Sequence, residues 1–340
     1  MITRIPDSVQ CLDRQWQQQL ATGYSDPLEL LTALKIDPQQ FAAGFNARQL
    51  FPMKVPRAFV AKMRVGDPYD PLLLQVLPVA QEWQPADGFH ADPTGEQNNH
   101  QPGLLHKYRS RVLLMLRSGC AINCRYCFRR HFPYQDNKVG QAQIDQLLDY
   151  LQADSNINEL LLSGGDPLMA RDDHLARLFE QLRQAPNLTR VRFHSRLPVV
   201  IPDRITADFI ELCRQAPWQI ILVLHINHPN EICSALEAKL ARLKSAGVTL
   251  LNQGVLLKGI NDDANILSAL SERLFSAGVL PYYLHQLDKV QGASHFEVSD
   301  AKARSLMAAL LAELPGFLVP KLVREVAGKP SKTPIDLLLS

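Results

Sequence analysis

The sequence predicts an α/β protein: a partial barrel of about six strand–helix units, with a helical region before it and a short segment after it. Three observations lead there. From about residue 111, short apolar runs alternate with amphipathic helical patterns. The runs are nearly continuous in apolar residues, as strands of a parallel sheet covered by helices must be. The residues able to do chemistry fall in the loops directly after those runs, where a barrel of parallel strands gathers its active site.

Residues from about 7 to 105 are helix-like and interrupted by proline, as in "SDPLELLTALKID" and "VPRAFVAKMRVGDPYDPLLLQVL". They close on "QPADGFHADPTGEQNNHQPG", whose Pro, Gly and Asn content marks a long loop or arm. The strands expected next are "RVLLMLR" (111–117), "ELLLSG" (159–164), "RVRFHS" (core 191–195), "QIILVLHI" (219–226), "TLLNQGVL" (249–256) and "LPYYLHQL" (280–287). Between them lie "QAQIDQLLDYLQA", "DDHLARLFEQLRQA", "DRITADFIELCRQA", "EICSALEAKLARLKSAG" and "ILSALSERLFSAG", each with helical spacing of its apolar residues. Six such units make a partial barrel rather than a closed one of eight. The expected division is a helical region and loop over 1–105, the barrel over 106–300, and a C-terminal helix and segment over 301–340.

With 340 residues, 46% hydrophobic and 21% charged, the chain can bury a large core. A formal net charge of +2, with Lys and Arg dispersed, argues against a nucleic-acid partner. No stretch approaches the roughly 18 apolar residues of a membrane span, and "MITRIPDSVQCLDRQWQQQL" lacks the apolar region of a signal peptide. The expectation is a cytoplasmic protein without a membrane contact, where thiols stay reduced and clustered cysteines bind metal or catalyse.

That cluster is "RSGCAINCRYCFRRHF", with Cys120, Cys124 and Cys127 spaced by three residues and then two. A tetrahedral zinc site needs a fourth ligand from elsewhere. Iron–sulfur clusters normally take four cysteines, so three leave one iron open to a substrate or cofactor. Cys11, Cys213 and Cys233 are scattered, and the last two sit in helix-like patterns suited to an inert buried thiol. Arg125, Arg129 and Arg130 beside the cluster suit a small anion better than a phosphate backbone. In "LLLSGGDP", Gly164 and Gly165 allow a tight turn and close approach, and Asp166 offers a carboxylate to a cation. His225 and His228 in "HINHPNE" form a possible metal pair, but with no third ligand assured, packing or cofactor contact is preferred. In "GKPSKTPID", Lys332 or Lys329, if desolvated, could react with the aldehyde of pyridoxal phosphate; the residues alone do not choose between them.

The C-x3-C-x2-C spacing with "CRYC" resembles the signature of radical S-adenosylmethionine (SAM) enzymes, and "SGGDP" resembles their element for the methionine amino group. The ordered set "HKYRSRVLL", "CAINCRYCFRRHF", "LSGGDPL", "SRLPVVIP", "HINHPNE", "PYYLHQLD" and "GKPSKTP" is similar to the lysine 2,3-aminomutase family over roughly residues 50 to 336. The resemblance implies a [4Fe-4S] cluster on the three cysteines, S-adenosyl-L-methionine, and pyridoxal 5'-phosphate on Lys332 with its phosphate at Arg111. It implies Arg129 for the substrate carboxylate, and Asp288 and Glu325 for the distal ammonium of L-lysine. The family has aspartate where Glu325 stands, and Glu325 reads equally well as a solvated surface acid. A narrower resemblance, in "LLHKY", "CRYCFRRHFPY", "LLSGGDPLMA" and "PSKTPIDL", is to members that supply (R)-β-lysine to a separate ligase for elongation factor P. An electron donor and a homo-oligomer are compatible with such an enzyme. The competing readings are an aminomutase for another amino acid, such as glutamate, and a non-enzymatic iron–sulfur or zinc protein that binds elongation factor P or its ligase.

Overall fold

The computed structural model describes residues 15–97 and 101–338. Cys11 lies outside them. Nine strands form: Leu104–Tyr108 (β1), Arg111–Arg117 (β2), Glu159–Gly164 (β3), Arg190–Ser195 (β4), Gln219–Leu224 (β5), Thr249–Val255 (β6), Leu280–His285 (β7), Lys321–Arg324 (β8) and Thr333–Pro334 (β9). They lie side by side in chain order in one sheet. From β2 to β8 all neighbours are parallel, while β1 and β9 close the two edges antiparallel.

The helices are Gln15–Ala21 (α1), Pro27–Ala33 (α2), Arg57–Val60 (α3), Gln141–Ala153 (α4), Asp172–Leu182 (α5), Leu197–Val200 (α6), Ala207–Gln215 (α7), Ser234–Ser245 (α8), Ala264–Ser276 (α9) and Asp300–Glu313 (α10). Six of them, α4, α5, α7, α8, α9 and α10, follow β2 to β7 in turn, which gives the six expected units. Their sequences explain their placement. In α5, Leu175, Leu178, Phe179 and Leu182 recur at helical spacing and are buried. Thr206 starts α7 by accepting the Phe209 N–H at 3.0 Å, and Asp263 starts α9 by accepting those of Asn265 and Ile266. These faces pack on the outward side chains of the strands, with Phe193 edge-on to Phe209 at 5.7 Å.

The region before β1 is less helical than its composition suggests. It contains α1 to α3, a 3-10 stretch over Pro38–Gln49, and turns. Pro52, Pro56, Pro68, Pro71 and Pro78 each remove a backbone donor, so no helix between them can lengthen. β1, β8 and β9 were not foreseen, because strands of two to five residues show too little alternation to be seen.

The inner face of the sheet is polar. Arg111 and Leu113, Leu161 and Ser163, Arg192 and His194, Gln253 and Val255, and Tyr283 and His285 are spaced by two along five strands and face one cavity. One face lining one cavity requires a strongly curled sheet, and the two ends of that sheet meet: Lys107 on β1 pairs with Glu325, the residue after β8. The barrel is open in its hydrogen bonding and bridged at the seam by an ion pair.

The N-terminal region fastens the cysteine loop. Glu82 is buried and accepts from Arg125 Nε at 2.8 Å and Nη2, and from Arg130 Nη2 at 2.7 Å. Arg125 also donates to the Phe51 carbonyl at 2.6 Å, and Arg130 to those of Arg125 and Gly292. Replacing Glu82 by Gln would leave two buried guanidiniums short of a counter-charge. The expected loss is about 3–5 kcal/mol, read from urea unfolding of the variant and the parent protein.

Candidate active site

Eleven of the residues singled out from the sequence line one cavity of about 340 Å³: Cys120, Cys124, Cys127, Arg129, Gly164, Gly165, Asp166, Arg111, Asp288, Glu325 and Lys332; Arg125, Arg130, His228 and Lys329 do not. The cysteines follow β2 and lie at the C-terminal rim, whereas Arg111 opens β2 at the other end, and the strand spans roughly 20 Å at about 3.3 Å per residue. The cavity is therefore a lumen along the barrel.

The cysteine loop is held by backbone contacts from the N-terminal region. Asn123 N donates to Lys54 O at 3.1 Å, Arg125 N to Gln75 O at 2.9 Å, and Lys54 Nζ to Cys120 O at 3.0 Å. Arg196 donates Nη1 to Cys124 Sγ at 2.6 Å, and Nη2 to Gln75 Oε1 at 2.7 Å and Glu231 Oε2 at 3.0 Å. Burial, then Asp166 and the neighbouring thiols, pushes Cys120 well above its ordinary value, and burial and Cys124 push Cys127 up to about 11. Thiols crowded in this way become thiolates once cations lie among them. Among the described residues no three His, Cys, Asp or Glu side chains converge enough to hold a single ion.

The glycines serve the loop before they serve any ligand. Gly164 has φ +110°, and a Cβ there would lie 2.8 Å from Arg117 O; at Gly165 it would lie 2.6 Å from Gly119 O. The close approach made possible is that of the β3 loop to the cysteine loop. Asp166 departs from expectation. Its Oδ1 accepts from Ser195 Oγ at 2.7 Å and Leu168 N at 3.0 Å, and its Oδ2 from Arg196 N and Leu197 N, both at 2.8 Å. A carboxylate has about four acceptor sites, and all are engaged, so Asp166 orients the β4 loop and Arg196 rather than offering a free carboxylate to a cation.

The arginine run is also corrected. The anions it holds are the protein's own: Arg125 and Arg130 take Glu82, and Arg129 takes Glu96 with Nε to Oε2 at 2.7 Å and Nη2 to Oε1 at 3.2 Å. Burial alone would lower the Arg129 pKa; Glu96 outweighs it and the net direction is up. His225 and His228 do not form a pair. His225 stacks on Tyr126 and faces the lumen, neutral at pH 7 because burial and Arg196 push it down to about 3. His228 instead caps Asn230 N at 3.2 Å.

Toward the seam, Glu325 is no surface acid. Its side chain is 10% exposed and it binds both Lys107 and Lys332, the latter at 3.0 Å. Lys332 lines the lumen, whereas Lys329 is exposed. Asp288 faces the lumen, and among the described residues its carboxylate has no hydrogen-bond or ion-pair partner. Burial pushes it up to about 7, against Lys332 and with Glu325 and Glu96 adding to the rise. Arg111 lies over the Tyr108 ring at 3.9 Å and has no carboxylate partner among the described residues. Four lumen residues carry buried polar atoms without a partner among the described residues: Arg192 Nε, His194 Nε2, Arg196 Nε and His285 Nε2. The lumen thus presents an uncompensated guanidinium at Arg111, a partly buried amine at Lys332 and unpartnered ring nitrogens, a donor set compatible with a phosphorylated aldehyde.

Sequence reading missed Glu96, Lys107, Arg192, His194, Arg196 and Glu231. A signal existed for two of them: Arg192 and His194 alternate within a strand whose neighbours read as buried, which marks a polar inner face.

The pattern of the Radical SAM superfamily matches residues 116–268. The chain is 52% identical over 325 residues to an L-lysine 2,3-aminomutase of Escherichia coli (strain K12), covering 95% of each protein. It is 51% identical over 322 residues to one of Haemophilus influenzae, covering 94% of this chain and 95% of that one. To one of Clostridium subterminale it is 35% identical over 322 residues, covering 94% and 77%.

Gly165→Ala tests the seating of the two loops. The added Cβ, 2.6 Å from Gly119 O, must push the cysteine loop away. Iron bound after anaerobic reconstitution should fall severalfold, while the far-ultraviolet circular dichroism stays that of the parent protein.

Proposed function

Because the chain belongs to the lysine 2,3-aminomutase family of radical SAM enzymes, we propose that it moves the amino group of L-lysine from carbon 2 to carbon 3. As an aminomutase it is an isomerase. The observation that carries the choice of lysine is Asp288, a carboxylate without a partner among the described residues, in the lumen that also holds Arg129, Lys332 and the three cysteines.

Cys120, Cys124 and Cys127 would hold a [4Fe-4S] cluster, Lys332 the pyridoxal phosphate and Arg111 its phosphate. When bound, the cluster with S-adenosylmethionine supplies a 5′-deoxyadenosyl radical, and the pyridoxal ring supplies a π system able to spread an unpaired electron. The protein's own part is placement. Arg129 suits the carboxylate of the substrate, a planar anion matched to its fork. Asp288, and Glu325 beside it, suit the distal ammonium. Anchoring both ends of a flexible chain fixes carbons 2 and 3 relative to the reacting groups, which is where intramolecular rate advantage arises. His194 and His285, kept neutral by burial, can meet polar atoms of a bound ring without adding charge. The curled sheet around them limits water.

We further assign the product as (R)-β-lysine and its destination as elongation factor P through a separate ligase, readings that rest on the resemblance in "LLHKY", "CRYCFRRHFPY" and "PSKTPIDL". Described residues contain no helix long and apolar enough to cross a membrane. A cytoplasmic setting agrees with reduced thiols and with such a partner.

The anaerobic, reconstituted protein with pyridoxal phosphate, S-adenosylmethionine, dithionite and L-lysine should form β-lysine; if 5′-deoxyadenosine forms and β-lysine does not, lysine is not the substrate. Lys332→Ala should abolish the visible absorption of bound pyridoxal, while Lys329→Ala should keep it. Asp288 titrates at about 7 in the free protein, and only its ionised form attracts an ammonium. Lysine kcat/KM should therefore fall roughly tenfold per pH unit below that value, and Asp288→Asn should lose the inflection along with much of the affinity.

A further inference from the structure

Arg129, the group assigned above to the substrate carboxylate, already holds a carboxylate. Nε and Nη2 grip Glu96 side-on at 2.7 and 3.2 Å, and Nη1 donates to Ser163 Oγ at 3.3 Å and Gly164 O at 3.1 Å. Four of the five guanidinium N–H bonds are thus engaged. The one left on Nη2 cannot make the two parallel bonds by which an arginine recognises a carboxylate.

We propose that Glu96 is a built-in stand-in for the carboxylate of the substrate: it closes the Arg129 fork in the resting enzyme and yields only to a ligand that brings a carboxylate of its own. This rests on Arg129 being the carboxylate site.

Three features make the exchange feasible. Among the described residues, the Glu96 carboxylate hydrogen-bonds to nothing but Arg129. The loop beneath it is held independently, since Asp92 accepts the N–H groups of Glu96 at 2.9 Å and Gln97 at 3.0 Å, so the side chain can leave while the backbone stays. At 20% exposure the Glu96 side chain has a route to water, whereas the Arg129 side chain at 7% does not. Exchange of one carboxylate for another never leaves that buried cation bare, and bare buried charge is what such a site cannot tolerate. Ser163 and Gly164 keep the guanidinium in place meanwhile.

The consequence is selectivity for amino acids over amines. A diamine can offer an ammonium to Asp288, yet it cannot displace Glu96.

Equilibrium calorimetry on the full-length protein decides the matter, with cluster, S-adenosylmethionine and pyridoxal phosphate bound and no reductant present. The ligands are L-lysine, L-glutamate, L-alanine and 1,5-diaminopentane. Glu96→Gln, which keeps the size of the side chain and weakens its hold on the fork, should bind L-lysine roughly tenfold more tightly and gain nothing toward 1,5-diaminopentane. Unchanged or weaker lysine binding by the variant would overturn the proposal and make Glu96 a positioning residue for Arg129. Equal tightening toward the diamine would overturn it too, since the effect would then be unrelated to a carboxylate. If lysine binds neither protein while another amino acid binds the variant more tightly, the exchange stands and lysine as substrate falls. If no amino acid binds the variant more tightly, the exchange falls.

Discussion

A charged side chain sealed inside a protein must meet its opposite, and here that requirement fixes how the N-terminal region, the cysteine loop and the strand ends are joined. Arg125, Arg129, Arg130, Arg192, Arg196 and Arg204 are all buried. Each ends on a carboxylate: Glu82 for Arg125 and Arg130, then Glu96, Glu159, Glu231 and Asp172 in that order. Such pairs add little stability over apolar residues of the same shape, but breaking one costs several kcal/mol, so each behaves as a fixed point. Their partners are distant in sequence. Glu82 ties the N-terminal region to the cysteine loop, Glu231 ties the loop after β5 to Arg196 and so to Cys124, and Glu325 ties the last strands back to β1. The cysteines are placed by charge pairing arranged around the rim of the sheet.

Two lumen charges have neither an opposite charge nor a hydrogen-bond partner for the side chain among the described residues, and they are the informative ones. Arg111 has only the face of Tyr108, and Asp288 has no partner among the described residues. An arginine remains charged whatever its surroundings, so an uncompensated one in a lumen marks where an anion belongs. The rise of Asp288 to about 7 shows the cost of its isolation, and a cationic group brought beside it relieves that cost. The lumen is thus prepared for an anion at the β2 start and a cation near the end of β7.

This logic also sets what the sequence could reveal. The six long strands and the helices after them were legible because burial on one or both faces leaves a periodic record over six or more residues. The short strands β1, β8 and β9 leave no such record, since their partners and not their patterns define them. Among candidate site residues, Cys120, Cys124 and Cys127 were legible by residue type after a strand, whereas Arg129, Asp288 and Lys332 were picked out by the family resemblance. Glu96, Glu82 and Glu231 were not, because a glutamate that will serve as a buried counter-ion looks in sequence like any surface acid. The same blindness explains Asp166, whose four bonds to the β4 loop cannot be read from "SGGDP".

The charge inventory finally separates the amino acids that this lumen can accept. Glu96, Asp288 and Glu325 all face it. A glutamate substrate would carry its distal carboxylate toward the last two and would raise the already strained Asp288 further. Lysine brings the opposite charge, which both carboxylates would attract. Lys107 and Lys332 both occupy Glu325, so under the proposed reading it would take part only after one of them leaves. Any chemistry that consumes the Lys332 ammonium frees one of its oxygens, and an ammonium from the substrate then restores the balance. On this argument the longer side chain of Glu325 is not a flaw in the pocket: it lets one carboxylate span the seam to Lys107 on β1 and still reach the lumen.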